Sequence, residues 1–415
     1  MLRILLLALN ANALILENDT LIGDLDRLSS QRNPVDESAE VAFHRNNLRL
    51  FNDLTHHYKR ELSPYYTNHH LTDLPAGWTH PPPMSTEVSL TYARIVKLDQ
   101  VEQTMKVIAE FRMVWTDYRL RWNPADYGGI TYIYMNRAAI WTPEITVANS
   151  EQAADASPEY KQNVLINATG HVLFYYDVLA NSVCRLETDF FPFDEQKCPV
   201  CLLETFFNKN ESTVYATVAD RFSNQEAGNG EWDVLDVRVY RRTLVDYERV
   251  EFDMMCYNFT VKRKANFYVM VIIIPTFIIT ALTITGIFGK RITGDNCIDE
   301  LTLGLTSLMT MTVMLGIVAD SLPKTNHFPV LSVFLSIDVT LMATSILLVL
   351  VHPHVIHPNV RKLKSRFRSA ESPKQCCCGL LPSSLRKYHA AHLFFMFVFQ
   401  SINIANLLYV LSYWT

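Results

Sequence analysis

Two textures of apolar residues divide the chain. Before Asn266 they recur at helical spacing or alternate with polar residues, and turn-forming clusters interrupt them. Val41, Phe43, Leu48, Leu50, Phe51, Leu54 and Tyr58 mark one helical stretch, predicting a helix over Ser38–Leu62 that stops at Ser63-Pro64. Alternation over Val88–Leu98, Thr104–Trp115 and Trp232–Tyr240 predicts strands, and several short strands between Asn, Asp, Gly and Pro clusters suggest a β-sandwich. After Asn266 the apolar residues gather into four blocks, Phe267–Gly289, Ile298–Ala319, Phe328–Val351 and His392–Trp414, each of bilayer-crossing length. Pro275 in the first block is tolerable because neighbouring helices can satisfy the carbonyl it frees. Asp338 in the third, with Gln400 and Asn403 in the fourth, should face other helices rather than lipid. The expected fold is a β-sandwich with a leading helix, followed by a four-helix transmembrane bundle.

Charge orients this arrangement. Between the third and fourth blocks stand Arg361, Lys362, Lys364, Arg366, Arg368, Lys374, Arg386 and Lys387, against the single acid Glu371. The positive-inside rule makes that loop cytoplasmic, and Lys290-Arg291 falls on the same side. Met1–Leu16 reads as a secretory signal peptide, which agrees with an outer N-terminal domain. The chain thus divides into a leader (1–16), an extracellular ligand-binding-type sandwich (17–265), transmembrane spans one to three (266–351), a basic cytoplasmic loop (352–391) and a fourth span (392–415). Export would let disulfides persist and makes the sequons at Asn18, Asn167, Asn210 and Asn258 candidates for glycosylation. The net charge of −5 comes with no basic, aromatic-interleaved face before the spans, so nothing points to nucleic acid.

Cys184 and Cys198 enclose thirteen residues that include Phe191-Pro192-Phe193-Asp194. With Trp115-Thr-Asp-Tyr-Arg-Leu-Arg-Trp122, Tyr127-Gly-Gly, Ile140-Trp141-Thr-Pro-Glu and Ala319-Asp-Ser-Leu-Pro-Lys324, this segment resembles the Cys-loop receptors, and most closely their nicotinic acetylcholine receptor branch. The resemblance runs from about Phe43 to the C-terminus, and no catalytic motif competes with it, so an enzyme is not expected. It implies a plasma-membrane, synapse-type ligand-gated channel in which this subunit joins four others of the same or related type. It also implies a Cys184–Cys198 disulfide, whose closed loop should add about 3 kcal/mol of stability in the chain-entropy view. The aromatic tip of that loop would dock on the membrane domain, meeting the link at Leu322-Pro323-Lys324, and Arg263 would pair with an acid at the junction.

A pore-lining helix needs a stripe at helical spacing. Thr302, Thr306, Met309, Val313, Ile317 and Asp320 recur at three- and four-residue steps in the second block. Threonine hydroxyls can replace water around an ion, and Met309 with Val313 can form an apolar girdle that gates by dewetting. Asp299 and Glu300 at the inner mouth and Asp320 at the outer mouth become rings of charge in a symmetric assembly, which favours permeant cations. Cys297-Ile298 stands where anion channels of the family carry Pro-Ala.

The resembled ligand box, which holds a quaternary ammonium among aromatic rings, is largely missing. Its expected aromatic positions fall on Ala148, Thr205 (with Phe206 one residue further) and Glu110, and no adjacent cysteine pair occurs between Trp232 and Arg263, the mark of a non-α type. Phe252 keeps one aromatic position, and Tyr240 and Tyr247 lie on the expected capping loop. Two readings stay open: an interface for a different small extracellular ligand, such as an amine held partly by Glu110, or an accessory subunit needed for assembly or trafficking. Cys201 and Cys256 are either a second disulfide or buried thiols. Cys376-Cys377-Cys378, among basic residues near the fourth span, suits palmitoylation better than metal binding. No cofactor or metal is expected, and His352, His354 and His357 read as a solvated helix end.

Overall fold

The computed structural model describes residues 34–66, 83–293, 300–320, 328–355 and 383–414. The leader, Asn18, Cys297, Asp299, Leu322-Pro323-Lys324, His357 and the three adjacent cysteines lie outside them. The leading helix α1 (Pro34–His56) starts and ends earlier than the Ser38–Leu62 expectation. Proline suits a first helical turn, where its missing N–H would have no partner. Ser63-Pro64 instead opens a separate 3₁₀ turn, Pro64–Tyr66. Leu50 and Leu54 of α1 are buried, whereas Val41, Phe43, Leu48 and Phe51 remain exposed, so the sandwich covers a narrower stripe than the pattern offers.

The sandwich is built from β1 (Met84–Asp99), β2 (Thr104–Thr116), β3 (Tyr132–Asn136), β4 (Ile145–Val147), β5 (Ser150–Asp155), β6 (Asn163–Asn167), β7 (His171–Val183), β8 (Glu195–Glu204), β9 (Ser212–Val218), β10 (Trp232–Val245) and β11 (Glu251–Arg263). The larger sheet runs β3-β6-β7-β2-β1-β9, with β5 also on β7, and the smaller runs β10-β11-β8-β4. β1–β9 is a parallel pair; the other pairs are antiparallel. Inward residues of both sheets make one core, in which Phe111 of β2 meets Tyr257 of β11 at 5.3 Å between ring centroids. The Tyr257 hydroxyl donates across the sheets to the Val88 carbonyl (2.9 Å), so its polar end is satisfied where burial makes that obligatory.

The Trp115–Trp122 motif turns out to be structural. Asp117 is wholly buried and gathers Arg119 (Nε 2.8 Å) and the Tyr58 hydroxyl (2.7 Å), and Tyr58 in turn accepts the Trp141 N–H (3.0 Å). Trp122 donates to the Ile130 carbonyl (2.7 Å). These bonds tie the chain after α1 to the sandwich.

Among the described residues, four helices have the length and apolarity to cross a membrane. The first enters through a turn at Asn266–Tyr268 and a π-helical turn at Val269–Ile273 before α2 (Ile274–Thr293). The wide turn directly precedes Pro275 and absorbs the register that proline disrupts. There follow α3 (Glu300–Asp320), α4 (Val330–Val355) and α5 (Ser383–Leu411). Asn406 of α5 donates to Asp338 of α4 (3.0 Å), and Gln400 of α5 donates to the Ala281 carbonyl of α2 (2.8 Å), so both polar groups do face neighbouring helices.

Candidate functional site

Three groups of residues form the candidate machinery, and they differ in how complete they are within one chain. Among the described residues, the junction between sandwich and bundle is made within one chain. Cys184 and Cys198 are joined by a disulfide with a Cα–Cα distance of 5.1 Å. The loop they close carries Phe191, which is buried in a cluster with Val269 of the π-helical turn, Met311 of α3, Leu331 of α4 and Val410 of α5. The start of α4 leans on the same loop: Val330 N–H donates to the Asp189 carbonyl (2.9 Å) and Leu331 N–H to the Phe191 carbonyl (3.3 Å). The first amides of a helix have no intrahelical partner, so the loop caps this span.

Arg263, the last residue of β11, has a fully buried side chain. Its guanidinium grips Asp194 through Nε (2.7 Å) and Nη2 (3.2 Å), and Nη1 donates to Glu231. It lies 4.0 Å over the Trp232 ring and 4.9 Å over Phe191, a cation–π arrangement around a fully buried guanidinium. Asp194 also accepts from Gln196 Nε2 (2.6 Å), and Tyr268 donates to Glu231 (3.2 Å). Each buried charge therefore has several partners, the condition under which such a pair is tolerated. Sequence reasoning missed Glu231, Trp232 and Tyr268, which come from β10, its preceding turn and the first span. Phe193 packs against the apolar cluster that holds Phe191.

The second group lies on α3. Thr302, Thr306, Met309, Val313, Ile317 and Asp320 are all exposed, with Met309 at 70 %, Val313 at 55 % and Ile317 at 58 %. At about 100° per residue they fit an arc of roughly 80°. The opposite side is buried: Met311 is 0 % and Val318 2 % exposed, and Gly304 packs so closely on Ile346 that an added Cβ would lie 2.6 Å from it. The Thr306 hydroxyl donates to the Thr302 carbonyl (2.7 Å), which leaves its lone pairs facing outward. Glu300 opens α3.

The third group is dispersed. Phe206 follows β8, Tyr240 lies in β10, Phe252 in β11, and Tyr247 in the turn between those two strands. Phe206, Tyr240 and Tyr247 are exposed. Glu110 belongs to β2 of the other sheet, and among the described residues no hydrogen bond or ring contact joins it to those aromatics. Its register partner on β7 is Asp177, a residue the pattern did not single out. Burial, and then the Glu110 charge, raise the Asp177 carboxyl above the usual range. Thr91 donates to Glu110. Glu204, at the end of β8 just before Thr205, is a second unforeseen acid. It is 3 % exposed, and among the described residues neither carboxylate oxygen is hydrogen-bonded. Burial raises it from 4.5 to about 7, moderated by the neighbouring Ser212 hydroxyl. Cys201 and Cys256, left open by sequence, form a second disulfide between register partners of β8 and β11.

A disulfide-closed loop capping one of four bilayer-length helices, beneath a two-sheet outer domain, defines a multi-pass membrane receptor. Residues 47–265 match the family model for the neurotransmitter-gated ion-channel ligand binding domain. The chain belongs to that family, the Cys-loop receptors. It is 27% identical over 269 residues to the acetylcholine receptor subunit beta-type acr-2 of Caenorhabditis elegans, covering 64% of this chain and 45% of that relative. Over 305 residues it is 27% identical to the bovine (Bos taurus) neuronal acetylcholine receptor subunit beta-4, covering 73% and 59%. Over 310 residues it is 27% identical to the human (Homo sapiens) alpha-6 subunit, covering 72% and 59%. The matched region thus spans about half the length of these curated relatives, which include both beta and alpha types.

Proposed function

We propose that this chain is one of five subunits of a plasma-membrane channel that passes cations when a small extracellular ligand binds. The single observation that carries this reading is α3, with one face packed inside the chain and a solvent-exposed stripe of Thr302, Thr306, Met309, Val313, Ile317 and Asp320 on the other. A ring of such helices encloses a path with hydroxyls at one end, an apolar girdle in the middle and carboxylates at the outer mouth. Asp299 and Glu300 add charge at the inner mouth, where the narrower passage screens it least. Ligand binding moves the sandwich, and the Arg263–Asp194 clamp with the buried Phe191 transmits that motion to the helices.

Glu110 and Asp177 support an amine as ligand, since two paired carboxylates on one sheet face favour a cation. A second reading, an accessory subunit without a binding site of its own, draws on Ala148 and Thr205, both exposed and neither able to offer a ring. Expression in oocytes, alone and with related subunits, under voltage clamp and a panel of small amines, tests both. Ligand-evoked cation current from the chain alone supports the first. Current only from mixtures, unaffected by Glu110→Gln, supports the second.

A further inference from the structure

The outer end of the larger sheet carries a feature the channel reading does not use. β6 ends at Asn167, the first residue of Asn167-Ala168-Thr169. The Asn167 side chain closes the turn into β7: its Oδ1 accepts the Thr169 N–H (3.0 Å), the Thr169 hydroxyl (2.6 Å) and the His171 N–H (2.9 Å). Gly170, at φ +82°, completes that turn, and its N–H reaches the Asn167 carbonyl (2.9 Å). All the bonding capacity in use is on the oxygen side. Among the described residues the Nδ2 amide donates to nothing.

Directly across the ladder, the partner of Asn167 is Tyr132 on β3, with Tyr134 two residues on. Partners in an antiparallel pair share a sheet face, with Cβ atoms about 4.5–5.5 Å apart. Ile133 and Met135 point into the core, whereas Tyr132 and Tyr134 are 57 % and 64 % exposed and meet edge-to-face at 6.1 Å. Two adjacent exposed rings beside a free amide form an apolar platform with no cover of its own. The C–H faces of a pyranose suit the electron-rich faces of such rings.

We propose that Asn167 carries an N-linked glycan whose first sugars lie on Tyr132 and Tyr134. The proposal rests on the outer placement of the sandwich. The co-reactant is an oligosaccharide on a polyprenyl diphosphate. Asn167 Nδ2 attacks the anomeric carbon, a C–N bond forms as the bond from that carbon to the diphosphate oxygen breaks, the diphosphate leaves with the electron pair, and the amide loses one proton. The Thr169 hydroxyl, bonded to Oδ1, holds the amide plane outward. The other described sequons lack this setting: Asn258 is half-buried mid-strand between Arg238 and Pro199, and Asn210 sits on a tight turn after β8.

The test uses the full chain from eukaryotic cells. Enzymatic N-glycan release in heavy-oxygen water tags each occupied asparagine, and tyrosine nitration before and after release reports cover on the rings. The expected result is a tag at Asn167 and a several-fold rise in nitration of Tyr132 and Tyr134 on release, with Tyr160, an exposed tyrosine away from the ladder, unchanged. Because release acts on folded protein, no variant that disturbs the turn is required; Asn167→Gln serves as a second arm and should lose one glycan of mass. Tags elsewhere but not at Asn167 overturn the proposal while leaving the topology intact. A tag at Asn167 with unchanged nitration overturns the platform. No tag on any sequon overturns the outer placement itself.

Discussion

The junction and the proposed ligand face draw on the same sandwich, yet among the described residues one is closed within the chain and the other is not. At the junction, Arg263 contacts Asp194, Glu231, Trp232 and Phe191, and the buried charges are paired. On the ligand face, Glu110 lies in one sheet and Phe206, Tyr240, Tyr247 and Phe252 lie in or beside the other. A site that transmits force within a subunit must be closed in that subunit. A site formed between subunits would leave each half open, as the proposed pore stripe of α3 would.

The largest expected effect breaks the finished half. Arg263→Leu leaves Asp194 buried and unpaired, which should cost about 3–5 kcal/mol and abolish surface expression, read by biotinylation. Asp194→Asn with Arg263→Gln removes both charges and should recover part of that loss. Full surface expression of the single variant would show that the clamp carries little. Cys184→Ser should cost about 3 kcal/mol in the chain-entropy view, read as lowered thermal stability and lost assembly.

Glu204 sharpens the comparison through pH. Its carboxyl titrates near 4.5 unfolded and about 7 folded, so the folded domain holds a proton that the unfolded chain has released. Its contribution is fully present below pH 4.5 and is lost as pH rises through 7. The full span is worth roughly 3 kcal/mol. Glu204→Gln should therefore be the more stable protein at pH 8 and equal to wild type near pH 4, measured by thermal melts across that range. A pH-independent difference would remove the buried-acid account.

The smallest effects belong to the open half. Glu110→Gln should weaken an amine agonist a few-fold, because the carboxylate is solvent-facing and screened. Acetylcholine should be a poor agonist of the chain alone. Large currents at low concentration would contradict the reading of Ala148 and Thr205.

How much of this was legible follows the same division. The loop cysteines and the Phe191–Asp194 tip are local in sequence and carry the family resemblance, and the α3 stripe follows from helical spacing. Glu231 and Tyr268 reach Arg263 from separate elements, and only the packing of β10 and the first span brings them there. Asp177 becomes visible through the β2–β7 register, and the Cys201–Cys256 bond through the β8–β11 register, neither of which the alternation of either strand fixes alone. Pro275 reads in sequence only as a tolerable proline in a membrane helix, and nothing in its neighbours signals the π-helical turn before it.

The central claim is that the α3 stripe lines the ion path, and cysteine accessibility in a conducting assembly tests it directly. Met309→Cys, Val313→Cys and Ile317→Cys should each react with a charged thiol reagent applied from outside during ligand exposure, with progressive block of current. Met311→Cys and Val318→Cys, on the packed face, should stay unmodified under the same conditions. Block at positions 311 and 318 with none at 309, 313 and 317 would contradict the account.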